Sequence, residues 1–221
     1  MDQRQQIDWR DGDVPVSRRF DDPFYSLDDG LAEARHVFLA GNDLPGRFKP
    51  GFQIAELGFG TGLNLVAAWQ AWVASRQNGP LRFTSFEAFP LSGADAARAL
   101  AAFPEAAALI DVIAALLDGD GRARTDTLDV TVVPGDARMT VPRWTGAADA
   151  WFLDGFSPAR NPELWDPALL SAVAAHTKPG GGFATYTAAG AVRRALSDAG
   201  FTVQRVAGHG RKRHMTTGRL P

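Results

Sequence analysis

The sequence predicts an α/β protein, a mostly parallel sheet with helices on both faces. Two observations carry this. From about residue 52 onward, apolar runs of strand length alternate with stretches of helical period, and a glycine loop, Gly58-Phe59-Gly60-Thr61-Gly62, joins the first strand to the first helix. With 221 residues, 45% of them hydrophobic and 22% charged, the chain has enough length for one large domain or two small ones, each with a real core.

Taken in order, residues 52–56 read as a short strand ending at Gly58. Residues 63–76 read as a helix, with Leu65, Ala68, Trp69 and Trp72 on one stripe and the breaker Asn78-Gly79-Pro80 behind it. A second strand is expected at 82–86. Helical stretches follow at 92–102 and 105–117; in the latter Leu109, Val112, Ile113, Leu116 and Leu117 recur at helical spacing. The turn cluster Asp118-Gly119-Asp120-Gly121 precedes a β-branched strand at 128–133, and 150–153 is short and apolar, as buried parallel strands are. A helix at 163–176, a strand at 182–186, a helix at 189–199 and a strand pair at 201–207 and 214–220 complete the chain. No linker or internal repeat divides 51–221. Residues 1–50 stand outside the alternation and are expected to form an extension packed on the domain, over its ligand edge.

Composition removes several classes of function. With no cysteine there is no disulfide framework, thiol nucleophile or cysteine-ligated metal, and four scattered histidines make no metal site. The first ten residues, MDQRQQIDWR, lack an apolar leader core, and no run approaches the roughly 18 apolar residues of a membrane span. A cytoplasmic protein is expected. The net charge of −2 hides an asymmetry: residues 1–30 hold eight Asp against four Arg, whereas 201–221 hold Arg205, Arg211, Lys212, Arg213 and Arg219 with no acid.

Candidate site residues fall at the ends of successive strands. Glu56 stands directly before the glycine loop, whose pattern is G-x-G-x-G, with Leu63 where a dinucleotide fingerprint needs its third glycine. Glycines there let backbone approach a ligand, and the following helix offers free N–H groups, but a carboxylate beside them repels a diphosphate and suits a cation. Glu87 lies 25 residues past Gly62, where a doubly wound fold places the carboxylate that holds ribose hydroxyls. Asp136 follows the third parallel strand and is either an acceptor for an adenine amino group or an N-cap. Asp154 ends the most apolar strand, at the carboxyl edge where open α/β sheets bind ligands. Together these describe a pocket for a nucleoside that bears a cation and no phosphate, the shape of S-adenosylmethionine.

Six strings then carry a family resemblance: PVSRRFDD at 15–22, GLAEARHVFL at 30–39, ELGFGTGLN at 56–64, SFEAFPL at 85–91, DAWFLDGFSPARNPELW at 149–165 and GHGRKRHM at 208–215. In that order they resemble the methyltransferase half of the bifunctional tRNA 5-methylaminomethyl-2-thiouridine biosynthesis proteins. The resemblance implies a class I S-adenosylmethionine-dependent methyltransferase (Rossmann-like) fold, a seven-stranded, mostly parallel sheet whose last strand is antiparallel. It implies N-methylation of 5-aminomethyl(-2-thio)uridine at the tRNA wobble position, with S-adenosyl-L-methionine as cofactor and tRNA as partner, and no metal or membrane. The family's FAD-dependent oxidoreductase half has no counterpart here, so a stand-alone, monomeric methyltransferase is expected.

Carried onto this chain, the resemblance assigns Glu56, Gly58, Gly60, Gly62, Asn64, Glu87, Asp136 and Asp154 to the cofactor. Asp154 also falls where methyl donor and acceptor amine meet, as partner of the amine or of the methionine amino group, with Phe156 and Pro158 as apolar walls. Tyr25, Pro158, Arg211, Lys212 and Arg213 are assigned to the substrate side, the basic cluster toward the RNA backbone. Pro134 stands where the family tends to place an aromatic, which leaves the adenine stacking partner open. Rival readings are a methyltransferase of a small amine and a non-catalytic Rossmann-like RNA-binding module; Leu63 disfavours an NAD-dependent oxidoreductase.

Overall fold

The computed structural model describes residues 4–10, 13–26, 29–210 and 212–221. Its centre is a parallel run of five strands: β4 (Gln53–Leu57), β5 (Leu81–Glu87), β7 (Leu128–Pro134), β8 (Ala148–Leu153) and β9 (Thr177–Thr185). Alternate residues of these strands feed opposite faces. Ile54, Phe83 and Phe152 pack beneath α2 (Leu63–Ala74), α3 (Gly93–Leu100) and α4 (Ile110–Asp118). Ala55, Trp151, Leu153 and Phe183 pack on the other side against α6 (Pro167–Ala175) and α7 (Gly190–Asp198). Both faces are therefore covered, and each of these strands contributes buried apolar residues.

The sheet holds eight strands in the order β10-β11-β9-β8-β4-β5-β7-β6, one more than the seven expected. The additional strand is β6 (Arg122–Arg124), antiparallel to β7 at the sheet's edge. Its sequence Arg-Ala-Arg has no apolar run to betray it, and charge suits an exposed edge that must not recruit further strands. At the opposite edge β11 (His214–Arg219) lies antiparallel to both β9 and β10 (Thr202–Ala207), so the last strand has the expected direction.

Ahead of the sheet, β1 (Ile7–Arg10), β2 (Val14–Ser17) and β3 (Asp22–Pro23) form a small antiparallel meander. Helix α1 (Gly30–Ala34) follows, its N-terminus capped by the Asp29 carboxylate accepting from Ala32 N–H at 2.8 Å. The helix widens into a π turn at Arg35–Leu39 and tightens into a 3-10 turn at Ala40–Asn42. Buried Leu31, Val37 and Phe38 seat this segment on the core. Asn42 Nδ2 donates to the carbonyl of Trp151 at 3.2 Å, which fastens it to the central strand β8.

Candidate active site

Every parallel strand delivers its last residue to the same edge, and the glycine loop occupies the middle of it. Gly58 has φ +85°, and a β-carbon there would lie 2.8 Å from the carbonyl oxygen of Asp154, so only glycine lets β4 and β8 end this close together. Gly60 has φ +55° and turns its N–H onto Glu87 Oε2 at 3.2 Å. A second backbone donor, Phe89 N–H, reaches Glu87 Oε1 at 2.8 Å. Burial raises the Glu87 pKa while these N–H groups oppose the rise, so the carboxylate is oriented before any ligand arrives.

Asn64, in the first turn of α2, ties two carboxyls together. Its Nδ2 donates to Glu56 Oε1 at 3.0 Å and to Asp154 Oδ2 at 2.7 Å. Glu56 is wholly buried and also accepts from Ser85 Oγ at 2.7 Å; desolvation holds its pKa well above the usual carboxylate range. Asp154 accepts from Gly155 N–H at 2.9 Å as well, and desolvation pushes its pKa up to about 6.

These groups border a cavity of about 1070 Å³, room for a nucleoside-sized ligand with space beside it. Gly58, Gly60, Asn64, Glu87, Asp136 and Asp154 line it. Glu56 and Gly62 do not: Glu56 stands behind Asn64, and Gly62 faces Phe59 and Ile113. Asp136 is at the rim, where it caps α5 (Ala137–Thr140) through Arg138 N–H at 2.9 Å and pairs with the Arg138 guanidinium at 2.6 Å. That hydrogen bond holds its pKa below the usual range.

On the substrate side Phe156 lines the cavity, stacked on Phe20 with centroids 4.7 Å apart and edge-on to Phe24 at 5.2 Å. Tyr25 also lines it, its hydroxyl donating to the Asp13 carbonyl at 3.2 Å. Pro158 and Arg213 lie outside the lining, and Arg211 lies outside the described residues. Lys212 turns inward: Nζ is 2.8 Å from Glu33 Oε1 and 4.0 Å from the centre of the Tyr186 ring.

Three wall residues were not singled out by sequence. Glu33 sits inside the string GLAEARHVFL but has no strand before it to mark it. Tyr186 follows β9 immediately, so the strand-end rule that found Asp154 reaches it too. Phe20 comes from the meander, whose packing sequence period did not reveal.

The donor set suits an adenosylated sulfonium. Three carboxyls gather around the loop, while the nearby cations Arg138, Arg160 and Lys212 are held by Asp136, Asp21 and Glu33. Arg19, over the Phe89 ring, also lines the cavity, so the preference for a cationic nucleoside over a diphosphate rests on the three carboxyls around the loop. Among the described residues no group of three or more His, Asp or Glu is placed to hold a metal ion, and no helix is long and apolar enough to cross a membrane.

The family model of the S-adenosyl-L-methionine-dependent methyltransferases matches residues 104–221. The chain belongs to that family. Among curated relatives it is 45% identical over 228 residues to the tRNA 5-methylaminomethyl-2-thiouridine biosynthesis bifunctional protein MnmC of Marinobacter nauticus, covering 96% of this chain and 36% of the relative. The protein of the same name from Stutzerimonas stutzeri is 44% identical over 230 residues, covering 99% of this chain and 35% of the relative. This methyltransferase thus spans about a third of the length of those relatives. Of solved structures, MNMC2 from Aquifex aeolicus superposes with a TM-score of 0.77 at 26% identity, over 98% of this chain and 70% of that one. TrmN from Thermus thermophilus, with a TM-score of 0.55 and 19% identity over 94% of this chain and 54% of that one, shares the fold. The cofactor of the family is S-adenosyl-L-methionine, as the resemblance implied.

Proposed function

We propose that this methyltransferase methylates the exocyclic amine of 5-aminomethyl(-2-thio)uridine at the tRNA wobble position, giving 5-methylaminomethyl(-2-thio)uridine. The observation that carries the substrate is the 44–45% identity to the MnmC proteins over almost the whole chain, since a carboxylate-lined pocket by itself suits many amines. Cytoplasmic, monomeric action on tRNA belongs to the same reading.

In this reading Gly58 and Gly60 take the methionine moiety, Gly62 shapes the loop behind them, and Asn64 fixes the carboxyls around it. Glu87 receives the ribose hydroxyls and Asp136 the adenine amino group. S-adenosylmethionine supplies the methyl group as a sulfonium, so transfer to a neutral amine disperses positive charge. The chain must then hold the amine in line and deprotonated. Asp154 accepts an N–H of the amine and takes up the proton released when the new N–C bond forms, directly or through water. A carboxyl with a pKa near 6 is ionised at neutral pH yet basic enough for that work. Phe156, braced by Phe20 and Phe24, walls this corner against water. Tyr25 borders the substrate side, and exposed Arg213 serves the RNA backbone.

The test is nucleoside mass spectrometry of tRNA carrying 5-aminomethyluridine after incubation with the protein and S-adenosylmethionine. A mass gain of one methyl on that nucleoside is expected. Methylation of a small amine in the absence of tRNA, with tRNA left unmodified, overturns the reading.

A further inference from the structure

The loop ahead of β11 carries the densest positive charge in the sequence, a composition that suits a phosphate backbone, yet Lys212 lines the cavity. Lys212 Nζ is gripped at 2.8 Å by Glu33, whose own side chain is only 14% exposed, and lies 4.0 Å above the Tyr186 ring. Tyr186 is anchored in turn, its hydroxyl donating to the Gly155 carbonyl at 2.8 Å, one residue beyond Asp154. Glu33, Tyr186, Lys212 and Asp154 all line the same cavity.

We propose that Lys212 is a positioning residue of the methyl-transfer site: clamped between Glu33 and Tyr186, its ammonium fixes a positive charge on the wall of the cavity that Asp154 also lines and does not grip an RNA phosphate. This rests on the methyl-transfer reading above.

Geometry separates the two roles. The ammonium, on a side chain still 47% exposed, is held by a carboxylate and an aromatic face, two contacts that each favour a cation where it is and draw it toward the cavity. Arg213, exposed and one residue on, makes no ion pair among the described residues and can meet RNA without such a pull. Inside the cavity, by contrast, a fixed cation does useful work. It offsets the negative charges that crowd Asp154, and it disfavours a protonated acceptor amine, which cannot attack.

The groups facing Asp154 come from every surrounding element. Glu56 lies across Asn64, Glu33 comes from α1, the Tyr186 phenol from the end of β9 and Lys212 from the loop before β11. Glu87, Asp22 and His209, the pair Asp136 and Arg138, and Arg19, Arg160 and Glu163 line the cavity further round. Of these, Lys212 is the cation that lowers the Asp154 pKa, while Glu33 raises it. The clamp therefore keeps this helpful charge in place despite an unhelpful neighbour.

The experiment measures methyl transfer to saturating tRNA carrying 5-aminomethyluridine against pH, for the parent, Lys212→Met, Lys212→Arg and Arg213→Ala. The parent rate is expected to rise through about pH 6. In Lys212→Met that midpoint moves up by about half to one unit, as loss of one nearby, partly screened charge predicts, with KM for tRNA and its salt slope close to the parent's. Lys212→Arg restores the midpoint, which a purely structural role in packing a lysine does not require. Arg213→Ala raises KM and flattens the salt dependence without moving the midpoint. If Lys212→Met instead keeps the parent's midpoint and raises KM for tRNA, the lysine is a phosphate contact and the proposal fails.

A carbon NMR titration of the Asp154 carboxyl, in the parent and in Lys212→Met with S-adenosylhomocysteine bound, gives an answer independent of turnover. A parent that transfers no methyl to this tRNA defeats the functional reading. An Asp154 titration identical in both proteins defeats the role given to Lys212. Should Lys212→Met not fold, Lys212→Gln takes its place in both measurements.

Discussion

Asn64 donates to Asp154 Oδ2 at 2.7 Å from a side-chain amide that is itself buried and shared with Glu56. One donor thus stabilises the ionised form of two carboxyls in the least hydrated part of the site. Asn64→Ala leaves both without it, and unmet buried hydrogen-bonding groups cost about 1–3 kcal/mol each. We expect a lower melting temperature and a rate profile whose acid limb lies at higher pH than the parent's. A variant with the parent's melting point and profile would show that the amide is dispensable.

Asp154→Asn should lower turnover strongly while making the protein more stable at neutral pH. The sign follows from the raised pKa: the folded state holds this proton more tightly than the unfolded chain does. Its stabilising contribution is therefore complete below the unfolded carboxylate pKa and is lost as pH climbs through about 6. The amide, never ionised, escapes that loss, worth about 1–3 kcal/mol at neutral pH. Paired thermal melts at acid and neutral pH check this; a gain at acid pH alone contradicts it. If turnover survives while cofactor affinity falls, Asp154 serves the methionine amino group.

Glu87→Ala is expected to weaken S-adenosylhomocysteine binding by about 5- to 150-fold, the value of one lost ligand hydrogen bond of roughly 1–3 kcal/mol. Asp136→Ala should weaken it less, because its carboxylate already serves Arg138 and the N-cap of α5. That cap adds a stability loss of about 0.5–2 kcal/mol that Glu87→Ala does not share. Calorimetry and thermal melts separate the two, and unchanged affinity in both variants sinks the assignment of this wall.

Gly58→Ala tests the seam between the strand ends. Its β-carbon would meet the Asp154 carbonyl at 2.8 Å and its φ of +85° is strained for any side chain, so the loop and Asp154 must separate. Loss of cofactor affinity by at least tenfold, about 1.4 kcal/mol, is the expected outcome in calorimetry. Parent-like affinity would mean that the two strand ends are free to part.

The sequence revealed the elements whose signal is burial. β4, β5, β7 and β8 each carry buried apolar residues, and the strand-end positions Glu87, Asp136 and Asp154 do lie on one edge. What it concealed was structure without an apolar period. β9 begins at Thr177, running through Lys178-Pro179-Gly180-Gly181, a stretch that reads as a turn and placed the strand at 182–186. The helix expected at 105–117 starts at Ile110, after a 3-10 turn at Pro104–Ala106, and that expected at 163–176 is interrupted at Asp166, which caps α6. The clamp on Lys212 joins residues 179 apart in sequence, a pairing that no local pattern encodes.

The order of strands at the sheet's far edge governs how this protein is made. β11 lies between β9 and β10, so β10, although synthesised earlier, has no place in the sheet until residues 214–219 have followed it. A nascent chain reaching residue 207 already holds the glycine loop, Glu87 and Asp154. It lacks the last strand, the loop carrying Lys212 and the closure of Arg219 on Asp43. At roughly 5–20 residues per second, β11 follows β10 within about one to a few seconds, and the flank of β9 has no strand partner until it is in place. A chaperone or a second nascent copy therefore has its opportunity there, and a stop codon placed before β11 should yield aggregated chains rather than a smaller folded enzyme.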